Sequence, residues 1–255
     1  RITVKIMLVH IKNNPKLTFI HIPKCGGMSI NYWMRDRLSE QGRASDMLTA
    51  PGHYNIETVQ KILKDNNIND MGHVMAVVRN PYDRAVSGYK YLQWRLENRM
   101  FERFTRREDG VYDAMSDSQY IQDLDDIYKG FTHYLKCARF THDTRYEVNV
   151  QQTFFIKRMF DTNIPGKLYK LEMGEWQTKL HELFGSDKPF PVVNKVQRDN
   201  NWKSYYDDEA KEIVSTRYSQ DLHNLGYSWD DPCMELDRHS VDIIKKQFSP
   251  FLTFS

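Results

Sequence analysis

Cysteine is scarce in this chain: Cys25, Cys137 and Cys233 are the only three in 255 residues. Their number and spacing fit neither a zinc site nor a disulfide framework. Long hydrophobic runs are missing too. No stretch approaches the ~18 apolar residues that a membrane span requires, and no signal peptide stands at the start. The first residue is Arg1 rather than Met, which leaves room for an upstream anchor or targeting segment. Excess charge is also lacking: the formal net charge is +2, too small to make nucleic acid the main partner. There is no internal repeat, low-complexity tract or metal-ligand cluster, so no metal is expected. What is there is 40% hydrophobic and 27% charged, the balance of a soluble globular protein with a real core. The length suits one large domain or two small ones, and a single domain over residues 1–255 is the expectation.

Two short apolar runs, Leu17–Ile22 and His73–Val78, read as buried strands, each followed by loop residues and a helical pattern. Such strand–loop–helix units predict an α/β fold, with a parallel sheet flanked by helices on both faces. Gly166–Leu171 is a third candidate strand, and Thr3–Ile11 a fourth, placed at an edge. Apolar residues at helical spacing cover 30–38, 56–63, 82–104, 120–135, 153–159, 172–183 and 207–222. The polar stretches 106–118 and 187–201 predict surface loops.

The chemistry concentrates where the first two strands end. Phe19–Ser29 reads F-I-H-I-P-K-C-G-G-M-S. A strand that turns through Gly26-Gly27 into a helix aims backbone N–H groups and the positive helix end at one spot, and Lys24 adds a full charge. That is a cradle for phosphate or sulfate. The order is not that of a Walker A loop, because Lys24 precedes the glycines, and G-x-G-x-x-G is absent as well. The second stretch, Arg79-Asn-Pro-Tyr-Asp-Arg-Ala-Val-Ser87, begins where the strand His73–Val78 ends. Asn80 suits an N-cap and Pro81 the first helical position. Arg79 and Ser87 can hold a second phosphate; an ordinary capped helix is the plainer reading.

The pair H-I-P-K-C-G-G-M-S and R-N-P-Y-D-R-A-V-S resembles the two nucleotide-binding signatures of sulfotransferases that use 3′-phosphoadenosine 5′-phosphosulfate (PAPS). The similarity is greatest to the heparan and chondroitin branch and its bacterial and viral relatives. It implies a sulfotransferase-type, P-loop-like three-layer fold. It also implies that Lys24, Cys25, Gly26, Gly27, Met28 and Ser29 hold the phosphosulfate, and Arg79 and Ser87 the 3′-phosphate. Relatives carry Thr at the positions of Cys25 and Met28, so those two contribute through the backbone. Glu172, then Val193-Asn-Lys195, then Tyr218…Asp221…Leu225-Gly-Tyr227, resemble further family elements. Asn194, Lys195 and Arg198 are placed in the polar loop that closes over the nucleotide in relatives. The likeness implies cytoplasm for a bacterial or viral source and Golgi lumen for a truncated eukaryotic enzyme, and leaves the compartment open.

Relatives carry a histidine, their proposed general base, in a turn like Pro51-Gly-His-Tyr-Asn-Ile-Glu57, so His53 is the candidate base. Its unperturbed pKa, about 6.5, suits proton abstraction near neutral pH. His21 and Glu57 are the runners-up, and a loop or capping role is the plain alternative. Lys24 is the second catalytic candidate, reaching the bridging oxygen as the S–O bond breaks. From Arg79 to Arg107 eight basic residues face three acidic ones, interleaved with Tyr82, Tyr89, Tyr91, Trp94 and Phe101. That stretch either grips an anionic sugar chain or forms a solvated face over core aromatics. The expected activity is sulfuryl transfer from PAPS to an acceptor hydroxyl, on a carbohydrate or a small alcohol. An ATP-dependent kinase and a non-catalytic module binding a nucleotide or anionic glycan are the alternatives.

Overall fold

The computed structural model describes residues 8–98, 105–106, 112–113, 117–137, 150–160, 166–193 and 196–230. In chain order the elements are β1 (Leu8–Ile11), β2 (Leu17–Ile20), α1 (Gly27–Glu40), β3 (Met47–Ala50), α2 (Ile56–Asp65), β4 (His73–Val78) and α3 (Pro81–Glu97). They continue with β5 (Thr105–Arg106), β6 (Tyr112–Asp113), α4 (Asp117–Tyr128), α5 (Phe131–Lys136), α6 (Gln152–Ile156), β7 (Gly166–Lys170), α7 (Glu175–Phe184), α8 (Asp208–Arg217) and α9 (Ser219–Asn224). The chain forms two compact units. The first comprises Arg1–Asn80, Gln151–Asn194 and Gln220–Ser255, and the second Pro81–Val150 and Lys195–Ser219.

The first unit is built on a five-stranded sheet of order β3-β1-β2-β4-β7. Its parallel part is β2-β4-β7, with Leu17 opposite His73 and Val74 opposite Gly166. Strand β1 pairs antiparallel with both β2 and β3. The sheet is therefore mixed, and the expected parallel sheet holds for the strands that carry the motifs. The N-terminal strand is interior rather than at the edge, because β3 pairs on its outer side; residues 3–7 of that expectation lie outside the described residues.

Side-chain alternation sends each strand's apolar residues to both faces. Ile20, Ile22, Val74, Ala76 and Val78 pack with Ile56, Val59 and Leu63 of α2 and with Phe155, Leu225 and Tyr227. On the other face Leu17, Phe19, Met75, Val77 and Tyr169 pack with Ile30, Trp33, Met34 and Leu38 of α1 and with Trp176, Leu180 and Phe184 of α7. Helices thus cover both faces of an α/β sheet. Glycine sets one boundary that periodicity missed: Gly174 (φ 71°) delays the start of α7 to Glu175.

The second unit gathers aromatics. Tyr82 of α3 stacks on Trp202 at 5.7 Å and meets Tyr206 edge-on, while Phe131 contacts Tyr89 and Tyr206. Tyr82 and Tyr89 are buried, as is Arg84, whose guanidinium donates to the Val150 carbonyl at 2.8 Å. Tyr82, Arg84 and Tyr89 therefore belong to the core, while Arg79, Lys90, Tyr91, Trp94 and Arg95 are partly exposed. Arg99, Phe101, Arg103 and Arg107 lie outside the described residues. Gly130 (φ 106°) divides the expected helix over 120–135 into α4 and α5.

Two histidines of the first unit tie stability to pH. The Thr18 hydroxyl donates to the Met71 carbonyl, so His10 Nδ1 must donate to Thr18 Oγ1, at 2.8 Å. His10 Nε2 is buried with no hydrogen-bond partner among the described residues. Burial, then the nearby Lys16, lowers the His10 pKa, and burial, then Lys179, lowers that of His73. The folded state thus refuses protons that the unfolded chain accepts below its pKa of about 6.5. Stability is fully present above that pH and falls as pH drops through it, by up to ~1.4 kcal/mol per pH unit for each histidine. Urea unfolding of wild type and His10→Gln between neutral and mildly acid pH checks this. The variant should show the shallower loss, and equal slopes would contradict the assignment to His10.

Candidate functional site

The loop after β2 takes a strained course. Lys24 has φ 67° and Gly26 φ 77°, with Cys25 between them on the ordinary negative side. A non-glycine residue in the left-handed region costs about 1–2 kcal/mol, so Lys24 is held there by its surroundings. Alternating handedness of this kind is the backbone pattern of anion-binding concavities, with the Cys25 N–H here taken up by the Ile22 carbonyl. Gly26 forms the N-cap of α1 without a side-chain cap, and the first turn carries no acidic residue. The positive end of this 14-residue helix therefore meets no carboxylate of its own first turn. Ser29 Oγ accepts the Val193 N–H at 3.2 Å, which leaves its own O–H to donate.

Gly27 has a packing reason. A Cβ there would come within 2.3–2.7 Å of His21 ring atoms, so the imidazole lies directly on the first residue of α1. The amide of Asn31, one turn further along α1, lies 3.3 Å from His21 Nδ1. The His53 ring meets His21 edge-on, with centroids 4.9 Å apart. A single imidazole thus separates His53 from Gly27. His53 is partly buried, and the cap of α2 is Asn55, whose side chain accepts from Thr58 N at 2.9 Å. The capping alternative for His53 is thereby excluded.

Arg79 follows β4 directly, and its guanidinium donates to the Lys24 carbonyl at 3.2 Å. The two motif segments of the first unit are therefore in direct contact. Next along the chain, Asn80 N donates to Glu172 Oε1 at 2.7 Å, while the Tyr227 hydroxyl donates to Glu172 Oε2 at 3.0 Å. Lys170 lies over the Tyr227 ring at 4.2 Å and donates to the Gly226 carbonyl. The Leu225-Gly-Tyr227 segment is thus locked to the end of β7, and through Glu172 to the turn after Arg79.

The model of the family described as "Sulfotransferase family" matches residues 9–228. The chain belongs to the sulfotransferase family. The matched span takes in both units and every motif singled out above. No curated protein and no solved structure is a significant match to the chain. Sulfuryl transfer is the general activity of this sulfotransferase family.

The remaining candidate residues fall as follows. Cys25 is 1% exposed, and its thiol donates to Gln152 Oε1 at 3.2 Å. Its backbone N–H is engaged with the Ile22 carbonyl. Met28 lies in the first turn of α1 and is partly buried. Ser87 lies on α3, in the second unit. Arg198, also of the second unit, pairs with Asp83 of α3 and so anchors the polar loop there. Asn194 and Lys195 lie outside the described residues. Glu57 is exposed on the first turn of α2. Among the described residues no group of His, Cys, Asp or Glu is arranged to hold a metal ion, and no helix is long and apolar enough to cross a membrane.

Gln152 carries no mark in the sequence, yet it sits among these residues. Its amide is wholly buried at the start of α6. Its Oε1 accepts from Arg79 N at 2.8 Å and from the Cys25 thiol, and its Nε2 donates to the Arg79 carbonyl at 2.7 Å. Asp221 holds it in turn, accepting from the N–H groups of Gln152 and Thr153 at 2.7 and 2.8 Å.

Proposed function

We propose that this protein transfers the sulfuryl group of PAPS to an acceptor hydroxyl of a carbohydrate, with His53 as general base. The observation that carries this reading is the convergence in one unit of the uncapped α1 N-terminus, Lys24, Arg79 and His53. Lys24 and the N–H groups at the start of α1 hold the phosphosulfate, and the Ser29 hydroxyl donates to it. Arg79 takes the 3′-phosphate, and Ser87 is assigned to that group by the motif. Asn194, Lys195 and Arg198 are assigned to the donor on the family resemblance alone.

Sulfuryl transfer, like phosphoryl transfer, passes in line through a loose transition state, so catalysis is positioning and charge. His53 takes the acceptor proton as its oxygen attacks sulfur. The bond from sulfur to the bridging oxygen breaks, and the negative charge that develops there is met by the Lys24 ammonium. The products are the sulfated acceptor and 3′-phosphoadenosine 5′-phosphate (PAP). No metal takes part in this scheme.

The test of the acceptor class is transfer of radiolabelled sulfate from PAPS to a panel of glycosaminoglycan fragments, neutral sugars, small alcohols and tyrosine peptides. Label on the sugars is the expected result. Label only on tyrosine peptides or simple alcohols would refute the carbohydrate assignment while leaving sulfuryl transfer intact.

A further inference from the structure

The ladder between β2 and β4 ends at Ile20 and Ala76, so beyond it the loop that carries Lys24 and the strand end that carries Arg79 need other contacts to keep a fixed separation. A side chain from a third segment touches both. Gln152 bonds the N–H and the carbonyl of Arg79 as a neighbouring strand would, and the same Oε1 accepts the Cys25 thiol. Its own backbone is fixed by Asp221, a buried carboxylate that also accepts the Thr153 N–H and hydroxyl. The Arg79 guanidinium closes the loop from the other side by donating to the Lys24 carbonyl.

We propose that Gln152 is a positioning residue that fixes the separation of the two anion-binding segments, and thereby matches the site to a ligand anionic at both ends. The inference rests on the reading that these segments hold PAPS. It also explains how Cys25 serves the loop. The thiol supplies the donor that ties the loop to Gln152, where a threonine hydroxyl would serve equally. A buried amide suits the role because it offers an acceptor and a donor side by side, in a place where a lone polar atom would be costly.

The test is PAP binding by calorimetry, with thermal unfolding of each variant in parallel. Gln152→Leu keeps the volume and removes all three bonds; its PAP dissociation constant should rise roughly tenfold or more. Cys25→Ala removes only the loop-side bond and should show a smaller loss in the same direction. Gln152→Glu provides the readout that a purely structural role would not move. Protonated, its carboxyl can accept from Arg79 N and donate to the Arg79 carbonyl as the amide does. Ionised, it sets a carboxylate against that carbonyl. Its affinity relative to wild type should therefore recover as pH falls from about 8 to about 5.5, because burial raises a carboxyl's pKa into that range. If wild type binds PAP while Cys25→Ala binds equally well and the relative affinity of Gln152→Glu is flat with pH, the inference is overturned and the donor reading survives. If wild type itself does not bind PAP, the donor reading fails and takes the inference with it. Should Gln152→Leu not fold, the other two variants decide alone.

Discussion

Replacing His53 by alanine is expected to lower turnover by about 10²- to 10⁴-fold, the usual contribution of a positioned general base. PAP affinity should change by no more than about twofold. Two observations lead to this split. The His53 ring contacts His21, which lies on Gly27 at the start of α1, so the imidazole stands next to the cradle. It lies on a different segment from Lys24 and Arg79, which carry the charges an anionic donor needs. The effect should therefore fall on kcat and not on donor binding. His21→Ala is the informative companion. As a support for Gly27 and a neighbour of His53, it should weaken donor binding and turnover together. Retained turnover in His53→Ala, with loss in His21→Ala alone, would move the base to His21.

Lys24→Met should cost about 10²- to 10³-fold in kcat, the range seen when a charge-stabilising donor is removed. Methionine keeps the aliphatic stem and removes only the ammonium. Lys24→Gly separates chemistry from backbone strain. Lys24 sits at φ 67°, where glycine carries no Cβ penalty. Lys24→Gly should therefore be as inactive as Lys24→Met yet unfold at no lower temperature than Lys24→Met. Such a pairing of lost rate without lost stability marks a residue held in strain for its chemistry. A fully active Lys24→Met would remove Lys24 from the reaction.

Local signals in the sequence were enough for much of this. His73–Val78 reads as a strand from its apolar run, and the structure has the same bounds. The placement of Lys24, Gly26, Gly27 and Arg79 just beyond the ends of β2 and β4 was legible because strand ends and glycine turns leave marks over a few residues. What stayed hidden depends on partners far along the chain. Met47–Ala50 is a short edge strand, half exposed and without a β-branched run, so neither periodicity nor composition betrays it. Its pairing is what moves β1 inward. Gln152 sits in an unremarkable Gln-Gln-Thr run, and its partners lie 73 and 127 residues away. Charge counted along a sequence says nothing of burial, which is why the basic stripe left two readings open; Arg84 is a core residue held by a carbonyl, while Lys90 and Arg95 stay partly exposed.

The donor assignment stands or falls on whether the cradle holds a nucleotide with anionic groups at both its 3′ and 5′ positions. Calorimetric titration of wild type with PAP and with ATP, under the same conditions with and without Mg²⁺, decides it. Clear preference for PAP, independent of Mg²⁺ and weakened by Arg79→Ala, is the expected outcome. Preference for ATP, or a Mg²⁺ requirement, would contradict it.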